Sequence, residues 1–305
     1  GAAKSGTSSL YAYLDNHSEV FMSRIKETNY FAKDIKPEEF TPLYQKRERD
    51  KAFDINAFLE QPNERRFLAY VQEQKHYEQL FSEANGQAVR GEVSNSYMYS
   101  EVAAEELYKT IPNVKIIAVL RHPADRMFSH YLNKLRDGQT AQTFAEAIAL
   151  DEEFTPKGWG KSHLYYELGC YGEQLQRYYD RFDSSQILVI DFDELQSDMH
   201  GFYKKVCAFL GVKFEADAIP KRQNASAIPK SALLNRVVTK TGVKKRVFAT
   251  LPETVQKQVK QRWFSSGSDA AISLPERDAI TSRYVQDIKV LEAVTGMNFS
   301  HWYDS

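Results

Sequence analysis

The chain has 305 residues, with 40 lysines and arginines against 41 aspartates and glutamates, for a formal net charge of −1. That length supports a core of ordinary size, in one large α/β domain or two smaller ones, and the balanced charge excludes the global basic field that nucleic-acid binding uses. No run of apolar residues is long enough for a transmembrane helix, so an anionic ligand must be met by a local cluster of cations and backbone amides.

The opening residues GAAKSGT overlay the nucleotide-binding P-loop pattern of Gly, four residues and then Gly-Lys-Ser/Thr. Gly1 and Gly6 fit, but Thr7 stands where the lysine belongs, and the lysine sits inside the loop as Lys4. A helix opening at about Thr7 and running from Ser8 to Asn16, with Leu10, Tyr13 and Leu14 on one face, turns free N–H groups and a positive dipole end toward an anion. Ser5, Thr7 and Ser8 add hydroxyls. Such loops normally follow a buried strand, so a first strand is expected upstream of Gly1. A small-residue turn that merely caps a helix is the alternative for this fragment alone.

Val20 to Met22 reads as a short buried strand, and residues 33 to 75 as a charged stretch with helical fragments, in which KRERDK (Lys46 to Lys51) is a solvated face. Tyr77 to Phe81 reads as helix, Asn85-Gly86 as a turn, and QAVRGEVS as a strand. VKIIAVL, Val114 to Leu120, is the strongest strand, apolar on both faces as in a parallel sheet. Helices follow from Pro123 through Leu135 and from Gly172 to Phe182, then a strand from Ile187 to Ile190 and a helix from Met199 to Leu210 that stops at Gly211. Residues 218 to 231 read as polar and irregular. A final helix is predicted from Pro275 through Leu291 on the spacing of Ile280, Tyr284, Ile288 and Leu291. Alternating strands and helices predict an α/β, P-loop-containing, three-layer fold: one domain over residues 1–305, its central parallel sheet flanked by helices. Cys170 and Cys207 follow no metal-ligand spacing and read as reduced thiols.

LRHPADRMFSHY supplies a second anion site. Arg121 follows the strongest strand at its carboxyl end, where ligands bind in open α/β sheets, and Pro123 suits the first turn of the next helix. Ser129, about two helical turns on, can point the same way, so that a guanidinium and a hydroxyl clamp a phosphate. A structural salt bridge at the sheet end is the alternative for Arg121 alone.

These two segments together resemble the PAPS-dependent sulfotransferase family, most closely its bacterial members and the branch that sulfates carbohydrates such as heparan sulfate. The likeness extends through IKETNYF, YEQLFSEANGQAVRGEVSNSY, YGEQLQRYYDRFDSSQILVIDFDEL and YVQDIKVLEAVTGMNFSHW. The resemblance implies an enzyme that moves a sulfuryl group from PAPS, leaving PAP, to a hydroxyl or amine of a carbohydrate or small metabolite, with no metal required. It assigns the 5′-phosphosulfate to Lys4, Ser5, Gly6, Thr7 and Ser8, and the 3′-phosphate to Arg121 and Ser129.

Transfer needs a base for the acceptor's proton and positive charge at the departing phosphate. The resemblance places the base at Glu27 of the Lys26-Glu27 pair, gives Lys4 the departing phosphate, and leaves Lys26 to orient donor or acceptor. Histidine serves as base in another branch, so His17, His122 and His130 are considered too; His17 reads as a cap and His122 as a packing residue. Where several carbohydrate-acting members carry a lysine after the glutamate of GE-x-S/T, this chain has Val93, which implies a different or less acidic acceptor. KRQNASAIPKS, Lys221 to Ser231, occupies the place of the loop that covers the donor, though a plain surface loop explains it equally well. Phe40, Tyr44 and Phe53 either stack on sugars or form the core of a small helical insertion. The expected compartment is a bacterial cytoplasm, with the Golgi lumen as the alternative. A P-loop small-molecule kinase and a non-catalytic nucleotide-binding protein of the same fold remain open: the displaced lysine and the Arg121/Ser129 pair oppose the first, and intact Lys4 and Glu27 oppose the second.

Overall fold

A computed structural model describes residues 1–42, 44–45, 53–61, 64–220, 227–229, 231, 235–236, 239, 264–266 and 271–304. Helix α1 (Thr7–Asn16) starts directly from the opening loop and buries Leu10, Tyr13 and Leu14. Strands β1 (Val20–Met22) and β2 (Ile25–Lys26) follow. Helix α2 (Ile55–Leu59) is started by the Asp54 carboxylate, which accepts from the amides of Asn56 and Ala57. Strand β3 (Arg66–Phe67) pairs in parallel with β2. After α3 (Gln74–Gln79) comes β4 (Val89–Gly91), parallel to β1. Helices α4 (Ser96–Tyr99) and α5 (Ala103–Thr110) lead into β5 (Ile116–Leu120).

Beyond β5 run α6 (Pro123–Arg136), α7 (Phe144–Glu153) and α8 (Tyr171–Tyr179), then β6 (Ile187–Asp191). Helices α9 (Phe192–Ser197) and α10 (Met199–Leu210) follow it, the latter ended by Gly211 at φ 81°. Strand β7 (Ala227–Pro229) pairs antiparallel with β8 (Phe264–Ser266), so the stretch 218–231 is not wholly irregular. The C-terminal helix predicted as one is two, α11 (Leu274–Ser282) and α12 (Val285–Thr295), broken at Arg283 and Tyr284. Tyr284 keeps its place in the apolar stripe because its fully buried ring stacks on Tyr166, with centroids 4.7 Å apart. The KRERDK run and most of Lys221 to Ser231 lie outside the described residues.

Strands β5 and β6 pair in parallel from Ile116↔Ile187 to Leu120↔Asp191. Successive residues of a strand face opposite ways, and here each face meets its own core. Ala118, Leu120, Ile187 and Val189 pack with Met127 and Leu135 of α6, Leu175 of α8 and Leu291 of α12. Val119 and Ile190 pack with Leu10 and Leu14 of α1 and with Phe202 and Val206 of α10. Helices on both faces of a parallel ladder make the three layers, and each large apolar side chain buried between them contributes about 1.5–3 kcal/mol. At the carboxyl end of β6, Asp191 accepts from Trp302 Nε1 at 3.0 Å and His301 Nε2 at 2.9 Å. That tie draws the chain's last turn to the same sheet end from which Arg121 emerges.

Phe40, Tyr44 and Phe53 serve the fold rather than an open sugar platform. Phe40 is buried edge-on to Tyr70, and Phe53 packs on the larger core. The Tyr44 hydroxyl donates to the Ser162 carbonyl at 2.9 Å.

Candidate functional site

The opening loop lies against β5: the Ala2 amide donates to the Val119 carbonyl at 2.9 Å. Lys4 and Gly6 both adopt left-handed backbone, at φ 73° and 80°. Gly6 is required twice over, since a side chain would strain that backbone and its first carbon would stand 2.7 Å from the Phe192 ring. No side chain caps α1. Among the described residues the amides of Gly6, Thr7 and Ser8 have no acceptor outside the helix, and the buried Ser5 hydroxyl has no well-formed hydrogen bond. Such unpaired donors at a helix start form an anion cradle.

Lys4 is a half-buried residue of this loop. Burial, reinforced by the guanidiniums of Arg136 and Arg121 against the opposing Asp137 carboxylate, pulls its amine down to about 8. Arg121 leaves the end of β5 and donates through Nη1 to the Lys4 carbonyl at 3.4 Å, with its guanidinium 5.1 Å from the centre of the Phe192 ring. Arg121 and the opening loop are thereby in contact. Ser129 sits half-buried on α6, and its hydroxyl makes no hydrogen bond to Arg121 or any other described residue.

Lys26 and Glu27 end the β2–β3 pairing: Lys26 accepts from the Leu68 amide at 2.7 Å and Glu27 from the Ala69 amide at 2.8 Å through their carbonyls. The Glu27 carboxylate is held from the opposite side by Asn95, whose backbone amide donates to Oε2 at 3.0 Å and whose Nδ2 donates to Oε1 at 2.7 Å. Lys26 Nζ stands 3.9 Å from Oε1 and 5.3 Å from the centre of the Phe67 ring. Burial raises the Glu27 carboxyl above its ordinary range, opposed by Lys26 and Asn95. Burial lowers the Lys26 amine, opposed by Glu27 and Glu92. Glu92, which accepts from Ser94 Oγ at 2.8 Å, is also raised by burial, and Glu27 adds to the shift. Glu27, Lys26 and Glu92 all lie near enough for their charges to act at Gly1.

Neither Asn95 nor Glu92 is assignable from spacing, although both lie in GEVSNSY; their role appears only when this segment folds beside Glu27. Val93 between them packs toward the smaller core. The three histidines fall on structural duties. His17 ends α1, its Nε2 2.6 Å from the Lys213 carbonyl and its Nδ1 accepting from the Glu19 amide at 3.1 Å. His122 is buried against the Trp302 carbonyl at 2.9 Å. His130 is held neutral, its pKa pushed well down by burial and then by Lys134 and Arg126. Asn235 closes the carboxyl end of α6, donating through Nδ2 to the Leu135 and Arg136 carbonyls at 3.0 and 3.1 Å. Among the described residues no group of three or more His, Cys, Asp or Glu side chains is placed to hold a metal ion, and no helix is long and apolar enough to cross a membrane.

Comparison with known proteins gives a consistent result. The sulfotransferase family matches residues 1–216. The bifunctional heparan sulfate N-deacetylase/N-sulfotransferase 1 of Xenopus tropicalis is 32% identical over 124 residues, 40% of this chain and 14% of the relative. The Mus musculus protein of the same name is 31% identical over 129 residues, 41% of this chain and 15% of the relative. The chain therefore spans about a seventh of the length of these curated relatives. The crystal structure of a sulfotransferase from Alicyclobacillus acidocaldarius is 26% identical, covers 99% of this chain and 96% of its own, and superposes with a TM-score of 0.70.

Proposed function

The chain belongs to the sulfotransferase family, and on that premise we propose that it transfers a sulfuryl group from PAPS to a hydroxyl or amine of a carbohydrate or small metabolite, with Glu27 as the base. The observation that carries this reading is the donor set of the opening loop: unpaired amides at Gly6, Thr7 and Ser8, with Lys4 in the same loop and Arg121 of the sheet end donating to the Lys4 carbonyl. That donor set fits a nucleotide with two separated anionic ends. The loop amides, Lys4, Ser5, Thr7 and Ser8 would hold the 5′-phosphosulfate, and Arg121 with Ser129 the 3′-phosphate. The donor supplies the sulfuryl group and a phosphate that departs with the electron pair of the broken bond.

Glu27 accepts the acceptor's proton. Its buried carboxyl binds a proton more readily than an exposed one, while Lys26 and Asn95 oppose that shift. Lys4 places its charge where negative charge grows on the departing phosphate. Lys26, 3.9 Å from Glu27, orients that carboxylate and faces the same space. A carbohydrate acceptor is supported by the heparan sulfate relatives matched over 124 residues. Free thiols at Cys170 and Cys207 suit a reducing compartment such as a bacterial cytoplasm.

Calorimetry with adenosine 3′,5′-bisphosphate, and with ATP in the presence and absence of magnesium, tests the donor assignment. Binding of the bisphosphate without magnesium is expected. Tight, magnesium-dependent ATP binding with no bisphosphate binding would instead identify a kinase.

A further inference from the structure

A cavity of about 480 Å³ opens against α8, lined neither by Lys26, Glu27, Glu92 and Asn95 nor by the donor-binding residues. Its walls continue the segments that hold Glu27. Asp34 and Lys36 lie on the chain leaving Glu27, and Tyr99 ends the helix that follows Asn95. Trp159 donates through Nε1 to the hydroxyl of Tyr70 at 3.1 Å, and Tyr70 follows Ala69, the residue paired with Glu27. The fourth wall is α8.

Two half-buried rings, Tyr99 and Trp159, stand side by side with centroids 5.9 Å apart and planes inclined at 36°. Both are fixed from behind. Arg177 donates through Nη2 to the Met98 and Tyr99 carbonyls at 2.7 and 3.3 Å, closing the end of α4. Gly160, at φ 73°, lets the Phe40 ring approach to where a side chain would begin, 2.2 Å away, and so anchors the turn that carries Trp159. Rigid aromatic faces with polar groups at their rim suit the C–H face and hydroxyl edge of a pyranose.

The charge around the rings selects among sugars. Acidic side chains outnumber basic ones five to three along the lining, and the basic ones are already engaged. Lys36 and Lys161 bracket Glu39 at 4.0 and 2.7 Å, and Arg177 serves the α4 carbonyls. Glu101 has no cation beside it among the described residues, and Glu173 reaches only the far edge of Arg177 at 4.0 Å. A uronate or sulfated ring would meet uncompensated like charge there.

We propose that this cavity is a subsite for a sugar ring of the acceptor, one that is uncharged or bears a free amine, seated on Tyr99 and Trp159 with Glu101 at its polar edge. The proposal rests on the sulfotransferase reading and names the acceptor class it implies.

The test titrates the full chain, by calorimetry without nucleotide, with tetrasaccharides of glucosamine, of N-acetylglucosamine and of galacturonate. The first two should bind, glucosamine more tightly, and galacturonate should not. Trp159→Ala and Tyr99→Ala should each weaken binding about tenfold, and Glu101→Gln should erase the preference for glucosamine over its N-acetyl form. Adenosine 3′,5′-bisphosphate binding by every variant should match the parent, which reports an intact fold. Galacturonate binding as well as glucosamine, no binding by any of the three, or indifference to both ring substitutions overturns the subsite. Failure of the parent to bind the bisphosphate overturns the sulfotransferase reading instead.

Discussion

Asn95 grips both oxygens of Glu27, one through its backbone amide at 3.0 Å and the other through its side-chain amide at 2.7 Å. The two residues are far apart in sequence, and their meeting turns one of many glutamates into a buried, oriented carboxylate. Each of the following expectations depends on that pair or on the opening loop.

Glu27→Gln should lower kcat by about 10²–10⁴-fold, the usual contribution of a general base, while bisphosphate affinity measured by calorimetry stays the same. Loss of both would mark Glu27 as structural. The same substitution should raise thermal stability at neutral pH. The Glu27 carboxyl is raised in the folded state, so its contribution favours folding below its unfolded pKa and is lost as pH rises through the folded one. Removing the charge therefore helps most at and above neutrality, and a Tm comparison at acidic and neutral pH checks the sign.

Asn95→Ala removes the Nδ2 bond and leaves the backbone one. Since Asn95 lowers the Glu27 carboxyl against the larger effect of burial, losing the side chain should move the acid limb of the kcat–pH profile to higher pH. Activity at alkaline pH should recover toward the parent value, an outcome that simple misfolding does not produce.

Lys4, with its amine brought down to about 8 in the free protein, should make donor affinity pH-dependent. Bisphosphate binding should weaken as pH rises above about 8 and should take up a proton there, because a bound anion favours the ammonium form. Calorimetry in buffers of differing ionisation heat reads this uptake, and Lys4→Met should abolish it.

Arg121→Ala should weaken bisphosphate binding about 10–100-fold, the worth of a charge-assisted hydrogen bond, with kcat at saturating donor little changed. An effect confined to kcat would contradict the clamp assignment.

Long elements were readable because their signals are local. Helix α10 runs from Met199 to Leu210 and stops at Gly211 as predicted, and α6 opens at Pro123 as its fixed φ requires. Elements that exist through pairing were not readable. Strands β2 and β3, two residues each, carry no periodicity and are strands only because Ile25 and Lys26 meet Arg66 and Phe67. Helix α7 also carries a local signal, the reciprocal Thr143–Glu146 capping box.

The amino-acid sequence by itself determined the shape of the opening loop: a displaced lysine, a glycine at a left-handed turn and a helix start are all set within eight residues of backbone. It also determined that Arg121 would leave the strongest strand at its carboxyl end. Only the tertiary structure decided that Arg121 reaches the Lys4 carbonyl, that Asn95 orients Glu27, and that Tyr99 and Trp159 stand together over a cavity. Backbone conformation and helix capping depend on neighbours in the chain, whereas the packing of GEVSNSY beside Glu27 depends on the folding of everything between them.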